Sequence, residues 1–322
     1  MFRAASTLFA LFALCLSPVG SAMASEPTAG VEAEDPVAPG EIVDRSFTNS
    51  AGIRPYQVYV PTSGGASKPL MIWLHGCGGP DPLEKGHALV KVAEEMGFSI
   101  AFPIEPASAN PLECWNWFLG VNQRRGSGEA SIIAGITTSL RDELGSDPSR
   151  IYVGGYSAGG AMTTILGAAY PDLYAAIAPS AGAPYKIFDV DGSMAYAEMG
   201  ARARPMPVFM LQGLTDGVSN YLVGRANLRQ WLGTNDYADD GRRNYSVSRL
   251  PSSVEPRVIN TDVPLPVSIE HYRSDGCAIT DFVTSPYEHL LNGALFYYDS
   301  GLELQRTMMG FLLDHRLGGA CG

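Results

Sequence analysis

The chain is 322 residues long, 46% of them apolar, with a formal charge of −11 at neutral pH. That apolar fraction supports a substantial core, and the roughly 280 residues beyond the N-terminal segment suit one large α/β domain. The acidic balance argues against nucleic acid or an anionic membrane as partner.

The first residues have the pattern of a targeting segment. Arg3 precedes an apolar run from Leu8 to Leu16, then Ser-Pro and "SAMAS". Ala22 and Ala24 are spaced as a small-x-small cleavage site, so residues 1–24 are expected to be a signal peptide. The run is too short to span a bilayer, and Leu14 before Cys15 disfavours a lipid anchor. Residues 25–40, rich in Pro, Ala and acids, suit a flexible leader, and 41–322 one catalytic-sized domain. The expected location is outside the cytoplasm, extracellular or periplasmic. Four cysteines would survive cleavage: Cys77, Cys114, Cys277 and Cys321. With no C-x-x-C pair a zinc site is not expected, and an even number in an exported chain favours two disulfides. Of the three pairings, Cys77–Cys114 with Cys277–Cys321 is favoured, since each pair flanks elements that should be neighbours.

The strands and helices alternate along the chain. "YQVYVP" (56–61) reads as an antiparallel strand, and "PLMIWLHG" (69–76) as one buried on both faces. A helix is predicted over 83–96, a buried strand over 98–104 and a helix over 128–145, stopped by Gly145. A strand at 151–155 leads into a helix ending at Tyr170, before Pro171. Further strands are predicted at 174–182, 207–213, 267–273 and 278–284, with helices at 221–233 and 302–317. Residues 234–266 show no clear period and could be a lid, a substrate loop or a surface insertion. The expectation is a mostly parallel, doubly wound sheet with helices on both faces. Sites in such sheets lie at the carboxyl ends of strands, and Ser157, His75 and Asp216 all follow predicted strands.

Residues 155–159, "GYSAG", match the G-x-S-x-G nucleophile elbow. With 36 glycines in the chain the motif alone is weak, and its strand–turn–helix context carries the weight. A nucleophilic serine needs an imidazole base oriented by a carboxylate, in this fold in the chain order Ser, acid, His. Three histidines follow Ser157. His289 falls in a predicted loop just past the strand 278–284 and is the best placed. His271 lies within a predicted strand and comes second. His315 is expected on a solvated helix face. Asp216, in "LQGLTDGVSN", is the favoured acid, although an Asp-Gly turn would explain it as well. Asp236, Asp239, Asp240 and Asp262 lie in the loose stretch; Asp275 and Asp281 sit near the histidine strand. Oxyanion donors are expected at the amides of Ala158 and Cys77, with His75 bonded beneath the loop rather than acting as a base. Trp115 and Trp117 could equally be core aromatics or the lining of a substrate pocket.

The stretches "LHGCGG", "GFSIAFP", "NPLECWNWF", "RRGSGEASIIAGI", "DPSRIYVGGYSAGGAMTTILGAAYPDLYAAIAPSAGAPY" and "QGLTDGV" together resemble the poly(3-hydroxybutyrate) depolymerase family of secreted α/β-hydrolase esterases. That family has feruloyl and acetylxylan esterase relatives. The resemblance is dense from residue 55 to about 220. It implies the α/β-hydrolase fold, Ser157 as nucleophile, Asp216 as acid, a Cys77–Cys114 disulfide and an oxyanion amide at Cys77. The family's histidine usually has a glycine-flanked setting with a tryptophan after it; here the sequence is "PYEHLLNG". The expected activity is hydrolysis of hydroxyalkanoate esters without cofactor or metal. Feruloyl or acetylxylan esterase activity is the alternative, and a non-catalytic binding protein on the same scaffold is the rival of another class.

Overall fold

The computed structural model describes residues 36–79, 87–259, 264–274 and 277–319. The chain begins with β1 (Ile42–Asn49), β2 (Gly52–Tyr59), β3 (Leu70–Leu74), α1 (Ala88–Met96) and β4 (Ser99–Pro103). It continues with α2 (Gly128–Leu144), β5 (Ile151–Tyr156), α3 (Ala158–Ala169), β6 (Ala176–Ser180), α4 (Ser193–Met199) and β7 (Val208–Gly213). The last part holds α5 (Tyr221–Asp240), β8 (Ser253–Ile259), β9 (Leu265–Ser274), β10 (Cys277–Ser285), α6 (His289–Ala294) and α7 (Leu302–Leu313).

Every residue of β3 to β7 is buried, which is why these segments are near-continuous apolar runs. Alternate residues feed two cores, because successive side chains of a strand point to opposite faces. Leu70, Ile72 and Leu74 join one cluster with Ile132 and Ile136 of α2, Met162 of α3 and Trp231 of α5. Met71 and Trp73 join the other, with Leu89 and Val92 of α1 and Leu304 and Met308 of α7. Helices therefore cover both faces of one sheet. Its strand order is β1-β2-β4-β3-β5-β6-β7-β10-β9-β8. The block from β4 to β10 is parallel, and antiparallel strands flank it at both edges. The parallel strands share a direction, so the loops after β3, β5 and β7 gather at one end of the sheet. Among the described residues no helix is long and apolar enough to cross a membrane.

The structure departs from the sequence reading in several elements. The stretch 234–266 is not unpatterned: α5 runs on to Asp240, and β8 forms an edge strand at 253–259. Gly233 does not end α5; a Cβ there would meet the Asp191 carbonyl oxygen at 2.0 Å, so the glycine lets helix and loop approach. Polar residues of its last turns are buried on specific partners. Asn235 bonds the backbone of Met206 in both directions, and Asp236 accepts from Tyr245 N–H, Val247 N–H and the Ser246 hydroxyl. The strand β1 and the short helices α4 and α6 are further elements beyond the sequence reading. The targeting segment 1–24, the leader as far as residue 35, Asp262, Asp275 and the Cys321 half of the proposed Cys277–Cys321 pair lie outside the described residues.

Candidate active site

Ser157 joins β5 to α3 at φ 58°, ψ −118°. A non-glycine residue there holds backbone strain, typically about 1–3 kcal/mol. The flanking glycines make the bend possible. A Cβ on Gly155 would come within 2.6 Å of Gly159 backbone, and one on Gly159 within 2.1 Å of the Leu74 carbonyl oxygen. Close approach of β5, α3 and the end of β3 thus requires both motif glycines and leaves the serine side chain projecting from the turn.

The structure brings Ser157, His289 and Asp216 together in one line. His289 Nε2 lies 2.9 Å from Ser157 Oγ, and His289 Nδ1 lies 2.7 Å from Asp216 Oδ2. An ionised carboxylate only accepts, so Nδ1 carries the proton and Nε2 accepts from the serine hydroxyl. Asp216 is itself held by its turn: Oδ1 accepts from Val218 N–H at 2.9 Å and Ser219 N–H at 2.8 Å. The carboxylate that meets His289 is therefore the same one that closes the Asp-Gly turn. His289 is the first residue of α6 rather than part of a loop. Its backbone carbonyl accepts from the buried Tyr156 hydroxyl. Asn292, buried one turn on, accepts from Ser285 Oγ and donates to Tyr287 O. These bonds tie α6 to the end of β10.

Ala158 opens α3, so its amide has no helical carbonyl four residues behind it. Cys77, disulfide-bonded to Cys114, lies on the loop after β3 and lines the same cavities as Ser157. The neighbouring His75 is 2% exposed. Glu105 N–H donates to its Nε2 at 2.9 Å, which leaves Nδ1 to donate to Gly76 O at 2.6 Å. Burial brings this imidazole's pKa down to about 4, so it is neutral in both roles.

Two carboxylates and a guanidinium lie behind this loop, unsignalled by any local pattern. Arg54 Nε reaches Glu105 at 2.6 Å and its Nη2 reaches Glu129 at 3.4 Å. Asn116 donates to both acids and its backbone N–H to Glu129. Burial, then the nearby Glu129 charge, push Glu105 up to about 8, with Arg54 opposing. The cluster fixes the segment between Cys114 and Trp117.

Comparison with known proteins then places the chain. The profile of the family described as "Esterase PHB depolymerase" matches residues 54–223, just over half the sequence. The chain belongs to the PHB depolymerase esterase family.

Among its relatives is the poly(3-hydroxyalkanoate) depolymerase C of Paucimonas lemoignei, 31% identical over 59% of this chain and 45% of that protein. Feruloyl esterase B of Neurospora crassa is 32% identical over 44% of this chain and 48% of that protein. The chain thus spans about half the length of the curated relatives it matches. Among solved structures, an acetyl xylan esterase from Aspergillus awamori superposes with a TM-score of 0.61 at 22% identity, over 78% of this chain and 94% of that one. The fold is that of an α/β-hydrolase.

In this PHB depolymerase family member two cavities among the described residues open on Ser157. One of about 470 Å³ is bordered by His289, Leu290, Ala294, Tyr297, Tyr298 and the loop Gly76–Gly79. The other, about 390 Å³, is bordered by Trp117, Ala158, Ile187 and a group of small side chains. The two tryptophans part company here. Trp117 faces the second cavity, whereas Trp115 is fully buried against His75, ring centroids 5.4 Å apart, and lines neither. The pocket-lining expectation for Trp115 is corrected: it is a core residue under the His75 loop. The other two histidines after Ser157 have different partners. His271 bonds Asp281 at 2.8 Å from within β9. His315 is buried, not solvated, and its Nδ1 bonds the Phe311 carbonyl. Among the described residues no group of three or more His, Cys, Asp or Glu could hold a metal ion.

Proposed function

We propose that the chain is an exported serine carboxylic-ester hydrolase of the polyhydroxybutyrate depolymerase type, acting on hydroxyalkanoate oligomers or amorphous polyester. The observation that carries this reading is the unbroken line from Ser157 Oγ through the His289 ring to Asp216. Ser157 Oγ attacks the ester carbonyl while His289 Nε2 takes its proton, and Asp216 holds the resulting imidazolium in place. The Ala158 and Cys77 amides receive the developing oxyanion. As the carbonyl–oxygen bond breaks, His289 returns the proton to the leaving alcohol. Water then repeats the sequence on the acyl-enzyme.

The anchored His75 supports the Cys77 assignment. Gly76 C=O and Cys77 N–H belong to one planar peptide, so the bond from Nδ1 to that oxygen fixes which way the amide points. The Cys77–Cys114 disulfide and the residues of 1–24 support an exported location. The substrate class leans on the similarity to the Paucimonas lemoignei depolymerase. The similarity to feruloyl esterase B favours a second reading, an esterase acting on plant cell wall.

Release of p-nitrophenol from a short acyl ester by wild type, abolished in Ser157→Ala, tests the activity. A panel of hydroxybutyrate oligomers, methyl ferulate and acetylated xylan then tests the substrate class. Preference for either plant-wall ester would replace the depolymerase reading with the second one.

A further inference from the structure

We infer that the two cavities divide the ester between them: the alcohol lies on the His289 side, and the Trp117 side takes an apolar acyl group of butyryl size or larger. This rests on the ester-hydrolase reading and goes beyond it.

The division follows from proton transfer. Once Ser157 Oγ bonds the carbonyl carbon, that carbon has three other substituents. Its oxyanion points to the Ala158 and Cys77 amides. The leaving oxygen must come within hydrogen-bond reach of His289 Nε2, because that nitrogen supplies the proton as the bond breaks. The acyl carbon is then directed away from His289. His289 borders the 470 Å³ cavity, and among the described residues it does not border the 390 Å³ one. Val218 borders both, as a partition would.

The acyl side has a chemistry of its own. Its space exists because Ala161, Ala181, Ala183 and Ala226 are small, and Trp117 and Ile187 supply broad apolar walls. An acetyl group would leave most of 390 Å³ unfilled. A longer hydrocarbon body would exchange water for these walls, at about fourfold in kcat/KM per buried methylene. The selectivity assigned to this site is therefore butyryl over acetyl by roughly 15-fold, set by small residues on α5 and the loop after β6.

The test uses the mature chain and two ester series. p-Nitrophenyl acetate and butyrate vary the acyl group; methyl and benzyl butyrate vary the alcohol. Ala226 is exposed on α5 and Ala183 is half-buried, so Ala226→Phe and Ala183→Leu fill the cavity from its rim. Each is expected to bring the butyrate-to-acetate ratio of kcat/KM down at least fivefold, with the benzyl-to-methyl ratio held within twofold. Ala294→Phe, on the other side, should do the reverse. Independently of any variant, butylboronic acid should inhibit wild type at least tenfold more tightly than methylboronic acid, since the boron alkyl group takes the acyl position. The assignment is overturned if acyl-length selectivity follows Ala294→Phe, if wild type prefers acetate, or if the two boronic acids inhibit equally. No hydrolysis by wild type, with Ser157 unlabelled by a serine-reactive phosphonate, would instead overturn the esterase reading beneath it.

Discussion

Replacing His75 separates a positioning role from a structural one. His75→Leu removes the bond to Gly76 O and leaves Glu105 N–H buried without its acceptor. One lost hydrogen bond costs about 1 kcal/mol and an orphaned buried donor about 1–3 kcal/mol, so stability should fall by about 3 kcal/mol. In a domain of this size that lowers Tm by about 5 °C. The catalytic effect has a separate origin. Complete loss of an oxyanion donor costs about 10²–10³ in kcat, and a freed Gly76–Cys77 peptide should cost about 10–10² with KM little changed. In His75→Asn the side-chain amide stands near the Nδ1 position and can still donate to Gly76 O, while Glu105 N–H stays unpaired. His75→Asn should therefore melt about as early as His75→Leu yet keep kcat within about tenfold of wild type. Steady-state kinetics on p-nitrophenyl butyrate beside thermal melts of both variants decide the matter. Equal kcat losses in the two variants, or an undiminished kcat in His75→Leu, would refute the reasoning.

Three further outcomes follow from the same geometry. Asp216→Asn should lower kcat by about 10⁴ without changing KM by more than a few fold, read on the same ester. Ser157→Gly should be more stable than Ser157→Ala by about 1 kcal/mol in denaturant melts. Both lose the bond to His289, but only glycine relieves the φ 58° backbone, at some cost in unfolded-state entropy. Stability should also depend on pH through the buried His75, His87 and Glu105. His75 and His87 are held near 4 by burial against an ordinary 6.5, so the unfolded chain binds more protons as pH falls from 6.5 to 4 and stability drops. Glu105 is held near 8 against an ordinary 4.5, so the folded chain keeps a proton that the unfolded one loses, and stability declines as pH rises from 4.5 to 8. Urea melts of wild type and Glu105→Gln check this, and the variant should lose less stability as pH rises towards 8.

Much of this site is written in local pattern. Buried parallel strands must be apolar on both faces, so β3, β4, β5 and β7 stand out as runs, and Ser157 and Asp216 follow directly from them. Chain order leaves three histidines and the place just past β10 favours His289, although "PYEHLLNG" gives no hint that α6 starts on the histidine itself. What the sequence hides is polar burial. The Arg54–Glu105–Glu129 cluster joins residues 75 positions apart, and Tyr156 occupies a motif position with no required chemistry. The end of α5 reads as loop because Asn235 and Asp236 are polar, and only their partners at Met206 and 245–247 explain their burial. Both β1 and β8 are half-exposed edge strands, and Pro256 further masks β8. Trp115 and Trp117 differ only in which way a two-residue step turns them, which composition cannot reveal.

The account rests most heavily on Ser157 being the atom that takes the acyl group, and covalent titration addresses that directly. Incubation with a p-nitrophenyl phosphonate, followed by peptide mass spectrometry, should find one adduct per chain, on Ser157, with labelling at least a hundredfold slower in His289→Ala. An adduct on another residue, or steady ester hydrolysis by a chain that leaves Ser157 unmodified, would contradict it.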